Sequence, residues 1–553
     1  MGIAALLAAP LPLAVFPAGC GRSGDSSGDA AEAPSGVASP GAAVVARVGD
    51  LMTTARVPGL SLAVIRDGEV VRSEVLGVAD RASGRPVTED TLFEAASLSK
   101  PVFATIVLRM AERGELDLDR PLLDLMDYER LAHEPRARLL TARMVLSHQT
   151  GLPNWGGEPL ELERDPGEAF GYSGEGYVLL QRVLEATTGL SLDELARREV
   201  LDPLAMTRSR YALPEGAAVE LAFPHDRAGR PQSRSGPREG NAAHSLLTTA
   251  PEYARFAAAW LDGELLSHGA STEALEPAIL IDPDEAGGER LDAPPLAWGL
   301  GWGIQLPAAG TSGSPIYWHW GDNGPSKAFV AFDRDSRRGL VYFANGDTGL
   351  AIGPALVAEV VGEMGSTFEW LGYDRSDAPG FSERLDGAVA ESEGRYAEAV
   401  ASFRMALVAD PEDEQTARRV EWLTELLDRQ QRPLELSESL LRRYAGTYGP
   451  RVLTLEDGAL HYQRGGGSRY RLVPLAETLF ALDGLVDFRL EVAVDARGEP
   501  TALIGHYLDG ETDESARDPE LREAELSRSD SAPGAPRGGG SRVRPGCGRA
   551  PAR

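Results

Sequence analysis

Lysine is almost missing from this chain: of 55 basic residues only Lys100 and Lys327 are lysines, and all the others are arginines. Cysteine is confined to Cys20 and Cys547, one near each end, so the body of the chain has neither a disulfide framework nor a thiolate metal site. The eight histidines show no His-Glu-x-x-His or other tight ligand spacing, so no residue is assigned to a metal and no cofactor is called for. The formal charge of -29 comes with no compensating basic block, which disfavours nucleic acid or an anionic membrane surface as partner. No apolar run is long enough to cross a bilayer as a helix. What is present is a 42% apolar composition spread over 553 residues, enough for real cores in about three or four folding units.

The scarcity of lysine gives Lys100 its weight. In the stretch Phe93-Glu94-Ala95-Ala96-Ser97-Leu98-Ser99-Lys100-Pro101 a Ser and a Lys stand three residues apart at the opening of an expected helix. Positions i and i+3 share a helical face, so the Lys100 amine can reach the Ser97 hydroxyl at the positively polarised helix N-terminus. Arginine keeps its proton in a protein, whereas a lysine can have its pKa lowered and relay protons, which fits an activated serine.

Residues 3–16 form an apolar run broken by prolines, followed by Ala18-Gly19-Cys20 and a Gly/Ser/Asp/Ala-rich stretch. The run resembles a bacterial lipoprotein signal peptide, in which the cysteine after Ala-Gly carries the lipid. It implies a signal peptide at 1–20, lipidation of Cys20, a disordered linker at 21–42, and a periplasmic or cell-envelope protein attached to the membrane through that lipid. Gly24-Asp25-Ser26-Ser27-Gly28 matches Gly-x-Ser-x-Gly letter for letter, but it has no strand before it or helix after it and is discarded as a nucleophile elbow.

From residue 43 the texture becomes globular. Gly59-Leu60-Ser61-Leu62-Ala63-Val64-Ile65, Asp67-Gly68 and Glu69-Val70-Val71 read as strand, turn and strand. His148, at a helix-to-loop junction in Ser147-His148-Gln149-Thr150-Gly151, reads as structural before it reads as a base. Phe170-Gly171-Tyr172-Ser173-Gly174 leads into an amphipathic helix. A Tyr in such a loop can point into a cleft, where its phenol is a candidate proton acceptor if a nearby ammonium lowers its pKa. Ile316-Tyr317-Trp318-His319-Trp320-Gly321-Asp322 reads as a strand with two more after it, and Gly321 is placed to let a substrate approach the strand backbone. Trp298, Trp302 and Trp318 read as core aromatics, with an acyl pocket as the other possibility.

Read together and in order, Ser97-x-x-Lys100, Tyr172-Ser173-Gly174 and His319-x-Gly321 resemble the motifs of the serine beta-lactamase and penicillin-binding-protein-like hydrolases, above all the class C type. The resemblance covers about residues 43–372 and implies an α/β (α+β) domain: an antiparallel sheet flanked by helices, plus a helical domain. It implies Ser97 as acylated nucleophile, Lys100 as its proton partner and Tyr172 as proton shuttle. His319 and Gly321 match the third motif, and the backbone N–H groups of Ser97 and Asp322 would form the oxyanion hole. Gly174 stands where many members carry an Asn, and His319 where a Lys is common, leaving a weaker, pH-dependent anchor for a substrate carboxylate. Both departures point away from a dedicated beta-lactamase and toward an esterase, amidase or D-peptidase acting on a small molecule or short peptide. Gly174, Trp320 and Lys327 are candidate substrate contacts, Lys327 restoring positive charge or facing solvent. A catalytically inactive penicillin-binding-like receptor is the competing reading, and an envelope assembly factor is a third.

Residues 384–430, with Gly394-Arg395-Tyr396-Ala397-Glu398-Ala399, resemble a single tetratricopeptide unit serving as a connector. Residues 436–510 read as short strands and turns and resemble a small lipocalin-like β-domain. Residues 511–553 read as a disordered tail. Oligomeric state is left open.

Overall fold

The computed structural model describes residues 40–216, 220–232, 236–282 and 293–518. The expected signal peptide, Cys20, most of the linker and Cys547 lie outside the described residues.

Helix α1 (Pro40–Thr54) leads into strands β1 (Gly59–Arg66) and β2 (Glu69–Asp80), the hairpin expected from the sequence, and then β3 (Arg85–Pro86). The two-residue strand β4 (Phe93–Glu94) precedes α2 (Ser99–Glu112), and α3 (Ala142–Leu146), α4 (Gly174–Thr188) and α5 (Leu192–Ala196) come after it. Strand β5 (Leu247–Thr248) and helices α6 (Ala250–Asp262) and α7 (His268–Leu275) lead to β6 (Ile279–Leu280), β7 (Leu296–Trp298), β8 (Gly303–Gln305), β9 (Ile316–Asp322), β10 (Lys327–Asp333) and β11 (Arg338–Ala344). Helices α8 (Gly353–Val360) and α9 (Gly365–Leu371) close this part of the chain.

Nine strands form one antiparallel sheet in the order β3-β2-β1-β11-β10-β9-β8-β7-β6. Chain ends of this part meet in the middle of it, with Leu60 opposite Ala344. Strand β10 is buried at every position because both faces of the sheet are covered. Successive side chains of a strand point to opposite faces. Ala328, Val330 and Phe332 accordingly enter one core with α2, α4 and α6, while Phe329 and Ala331 enter a second core with α1, α8 and α9. The antiparallel sheet flanked by helices expected for this part is present.

Beyond it, α10 (Phe381–Ser392), α11 (Tyr396–Ala409) and α12 (Glu414–Gln431) come in sequence. These are three helices, where the tetratricopeptide resemblance called for a single repeat unit. The third finds its own use: Phe381 and Leu385 of α10 enter the second core of the sheet, while Leu426 of α12 packs on Leu475 and Ala481 of the last unit. Helix α13 (Glu438–Tyr444) then opens an eight-stranded antiparallel sheet of β12 (Gly446–Tyr448), β13 (Arg451–Glu456), β14 (Ala459–Arg464), β15 (Arg469–Pro474), β16 (Leu479–Leu482), β17 (Leu485–Val494), β18 (Pro500–Tyr507) and β19 (Thr512–Ala516). The sheet is barrel-like, because the Asp518 N–H donates to Thr447 O at 3.0 Å and returns the last strand to the first. Strand β19 lies in what reads from sequence as tail. Its alternating polar residues hide the pattern, yet its backbone pairs with β18 from Ala502↔Ala516 to His506↔Thr512.

Candidate active site

Ser97 lies on a single 3₁₀ turn, Ala96–Leu98, and the α-helix begins only at Ser99. The turn is strained: Ala96 has φ 47°, a left-handed conformation that costs a non-glycine residue roughly 1–2 kcal/mol. Groups that sequence reading passed over hold it in place. Ser99 Oγ donates to Ala96 O at 2.6 Å and accepts from the Leu246 N–H at 2.9 Å. Tyr253 Oη donates to Leu98 O at 2.8 Å, and Tyr211 Oη to Ser99 O at 2.7 Å. The second serine of Ser97-Leu98-Ser99-Lys100 was the available signal for Ser99, whereas nothing local marks the two tyrosines.

Lys100 Nζ donates to Ser97 Oγ at 3.1 Å and to Ala243 O at 2.9 Å. The side chain is 1% exposed, and burial lowers its pKa from 10.5 to about 7. A neutral amine beside a serine hydroxyl is thus populated near neutral pH, which is the condition for a general base. Lys100 Nζ also lies 4.7 Å from the centre of the Tyr172 ring.

Tyr172 is fixed through its neighbour Ser173. Ser173 caps α4, its Oγ accepting from the Gly176 N–H at 3.0 Å and donating to Pro153 O at 2.8 Å. The Ser173 N–H donates to His148 Nδ1 at 3.0 Å, and the His148 ring packs on Tyr172 with centroids 4.3 Å apart. His148 is therefore a buried brace for Tyr172, as a structural histidine, and burial beside Lys100 holds its pKa well below the ordinary value. The Tyr172 phenol does not have the lowered pKa considered from sequence. Burial pushes it well above the ordinary value, opposed only weakly by the Ser97 hydroxyl it faces, and its oxygen makes no hydrogen bond of ordinary length. Desolvation of the phenolate outweighs the stabilisation that the Ser97 hydroxyl offers it.

Three further expectations change. His319 is fully buried, its Nδ1 2.7 Å from Trp320 O, and burial together with the Lys100 charge lowers its pKa to about 3. It is a neutral ring at ordinary pH and cannot serve as a pH-dependent carboxylate anchor. Lys327 neither faces solvent nor adds free positive charge: it is 3% exposed and paired with Asp322 Oδ1 at 2.7 Å. Tyr373 Oη donates to the other Asp322 oxygen at 2.6 Å, so the Asp322 side chain ties down the end of β9. Trp320 is buried between Tyr172 and Trp370, at 4.7 and 5.5 Å between centroids, and supports Tyr172 from behind. Trp298, Trp302 and Trp318 are core residues.

Gly321 is required by packing on the nucleophile turn more than by substrate approach: a Cβ there would lie 2.4 Å from Ala95 O and 3.2 Å from Ala96 Cβ. This close contact brings β9 against the Ser97 turn. Strand β8 pairs with β9 only from Ile316 to Trp318, so the edge beyond is free. The Asn323 N–H is spent across the hairpin on Ser326 O at 3.0 Å. Adjacent residues of a strand aim their N–H groups to opposite edges, so that of Asp322 faces the Ser97 side. Gly174 is not an open position: a Cβ there would lie 2.8 Å from Trp155 Cη2 and Cζ2. Among the described residues no group of three or more His, Cys, Asp or Glu side chains is placed to hold a metal.

Residues 44–360, more than half of the chain, match the family model described as Beta-lactamase. The chain belongs to the beta-lactamase family. Penicillin-binding protein 4 of Amycolatopsis lactamdurans is 27% identical over 340 residues, covering 57% of this chain and 87% of that protein. Esterase EstB of Burkholderia gladioli is 41% identical over 101 residues, covering 18% of this chain and 26% of the esterase. Among solved structures, a class C beta-lactamase is 20% identical with a TM-score of 0.48, covering 58% of this chain and 95% of that one. The structure of SurE is 23% identical with a TM-score of 0.49, covering 87% and 99%. The beta-lactamase family is one of serine hydrolases, and the described motifs all fall within the matched span.

Proposed function

We propose that this beta-lactamase family member is an exported serine hydrolase that forms an acyl-enzyme on Ser97 with an ester, amide or D-amino-acid peptide substrate. The observation that carries the reading is the buried Lys100 amine, 3.1 Å from Ser97 Oγ and with its pKa lowered to about 7. Neutral Lys100 accepts the Ser97 proton as Oγ attacks the substrate carbonyl. The negative charge that develops on the carbonyl oxygen meets the N–H groups of Ser97 and Asp322. Collapse expels the leaving group, which takes the proton from Lys100 through the Tyr172 hydroxyl. Because that phenol is held protonated, it works as a donor passing a proton on, while Lys100 is the base. Water then attacks the acyl-enzyme by the same route in reverse, and the acid departs with Ser97 regaining its proton.

Neither His319, neutral, nor Lys327, paired with Asp322, is available to grip a substrate carboxylate, which favours an esterase or amidase over a dedicated beta-lactamase. Lipidation of Cys20 fits an envelope location, and the helical segment and barrel-like sheet are read as a tetratricopeptide-like connector and a lipocalin-like domain. A panel of short esters, D-aminoacyl amides and a beta-lactam tests the reading. Hydrolysis of at least one, abolished by Ser97→Ala, is expected; no hydrolysis and no acylation of Ser97 would leave a receptor.

A further inference from the structure

Seven of the eight tryptophans are buried, and Trp155 alone is 53% exposed. Its indole is not on a loose loop. Asn154 O accepts from the N–H groups of Gly174 and Glu175 at 3.1 and 3.2 Å, and Asn154 Oδ1 accepts from Gly174 at 3.0 Å. The Gly156 N–H donates to Glu175 Oε1 at 3.1 Å, and Arg130 bridges Glu175 to Gly157 O. A half-exposed indole is thus held on a hydrogen-bonded backbone, with part of its apolar surface open to whatever binds beside it.

Its place says what that is. One side of the indole covers Gly174, two residues after Tyr172. The indole also meets the His244 ring edge-on, with centroids 5.6 Å apart at 77°. His244 comes directly after Ala243, whose carbonyl holds Lys100, and its own carbonyl accepts from Asn323 Nδ2 at 3.2 Å. Trp155 therefore bridges the second-motif loop, which carries Tyr172, and the 241–246 turn, which holds Lys100 through Ala243 O. Gly174 carries no side chain, and the indole lies over the space a Cβ there would take. The nearby cations Lys327 and Arg164 are spent on Asp322 and on Phe170 O.

We infer that Trp155 is the specificity-determining wall of the acyl subsite, and that the acyl group it takes is uncharged with a flat apolar face, such as an arylacetyl group. This rests on the proposed Ser97 hydrolase, and it names the substrate class of that site. A flat ring on an indole recovers both burial and the favourable geometry of aromatic pairs.

The test compares p-nitrophenyl acetate, phenylacetate and hemisuccinate on the full chain. Wild type should prefer phenylacetate over both others by about tenfold or more in kcat/KM. Trp155→Ala should erase that preference, read as the ratio of kcat/KM for phenylacetate to that for acetate, chiefly through the phenylacetate KM, and Trp155→Phe should retain most of it. An unchanged preference in Trp155→Ala, or a wild-type preference for hemisuccinate, overturns the inference. Ser97→Ala reports separately on the parent reading, because loss of all three activities there is independent of their ratios. Binding needs no turnover: ligand-observed NMR on Ser97→Ala should detect phenylacetamide and not acetamide, with the signal lost on adding Trp155→Ala. Equal binding with and without the indole would refute the wall even in an enzyme inactive on these esters.

Discussion

Replacing Lys100 by Met keeps the volume of the side chain and removes its charge, and the consequence can be worked from its burial. The folded protein holds Lys100 at a pKa of about 7 against an ordinary 10.5. Between those values the unfolded chain binds the extra proton, so wild-type stability rises with pH across that window by about 1.4 kcal/mol per unit from this group. Below pH 7 both states carry the proton and the full penalty, on the order of 5 kcal/mol, is present. Lys100→Met escapes it, although Ala243 O then loses its donor at a cost of about 1–3 kcal/mol. The variant should be inactive and more stable than wild type at pH 7, with the gap closing as pH rises and reversing by pH 10. Urea unfolding monitored by tryptophan fluorescence at pH 7, 8, 9 and 10 measures the gap, and taking the difference at each pH cancels the other titrating groups. Parallel pH dependences for the two proteins would refute the perturbed lysine. The same titration sets the activity profile: wild-type kcat/KM should climb with pH to a plateau, with its acid limb near 7.

Tyr172→Phe should lower kcat by about a hundredfold while leaving that acid limb in place, since Lys100 rather than the phenol is the titrating base. Wild-type rates, or a shifted limb, would reassign the roles. Gly321→Ala places a Cβ 2.4 Å from Ala95 O, so the Ser97 turn must move; thermal melts should show a loss of about 1–3 kcal/mol together with a kcat defect. Lys327→Met leaves the half-buried Asp322 carboxylate without its ammonium partner and should cost about 3 kcal/mol, partly recovered when Asp322→Asn is added, as a double-mutant cycle would read.

Local pattern was enough for the hairpin β1–β2, for the i, i+3 placement of Ser97 and Lys100, and for Tyr172 ahead of a capped helix. In each case the deciding partner is a sequence neighbour. The charge states were not legible in this way. His319 is neutral because of what packs around it, Trp298, Tyr172 and Lys100, all distant in sequence. Lys327 looked free because Asp322 and Tyr373 converge on its strand only in the fold. Gly174 read as a missing Asn, and only the loop carrying Trp155 shows what occupies the space. Strand β19 escaped notice because a strand of alternating exposed polar residues differs little from tail by composition.

The central claim is a nucleophilic Ser97 activated by Lys100. Intact-mass analysis after treatment with a fluorophosphonate tests it most directly, with peptide mapping to find the site. One adduct per chain on Ser97 is expected, absent in Ser97→Ala and strongly slowed in Lys100→Met. An unmodified chain, or an adduct that persists in Ser97→Ala, would contradict it.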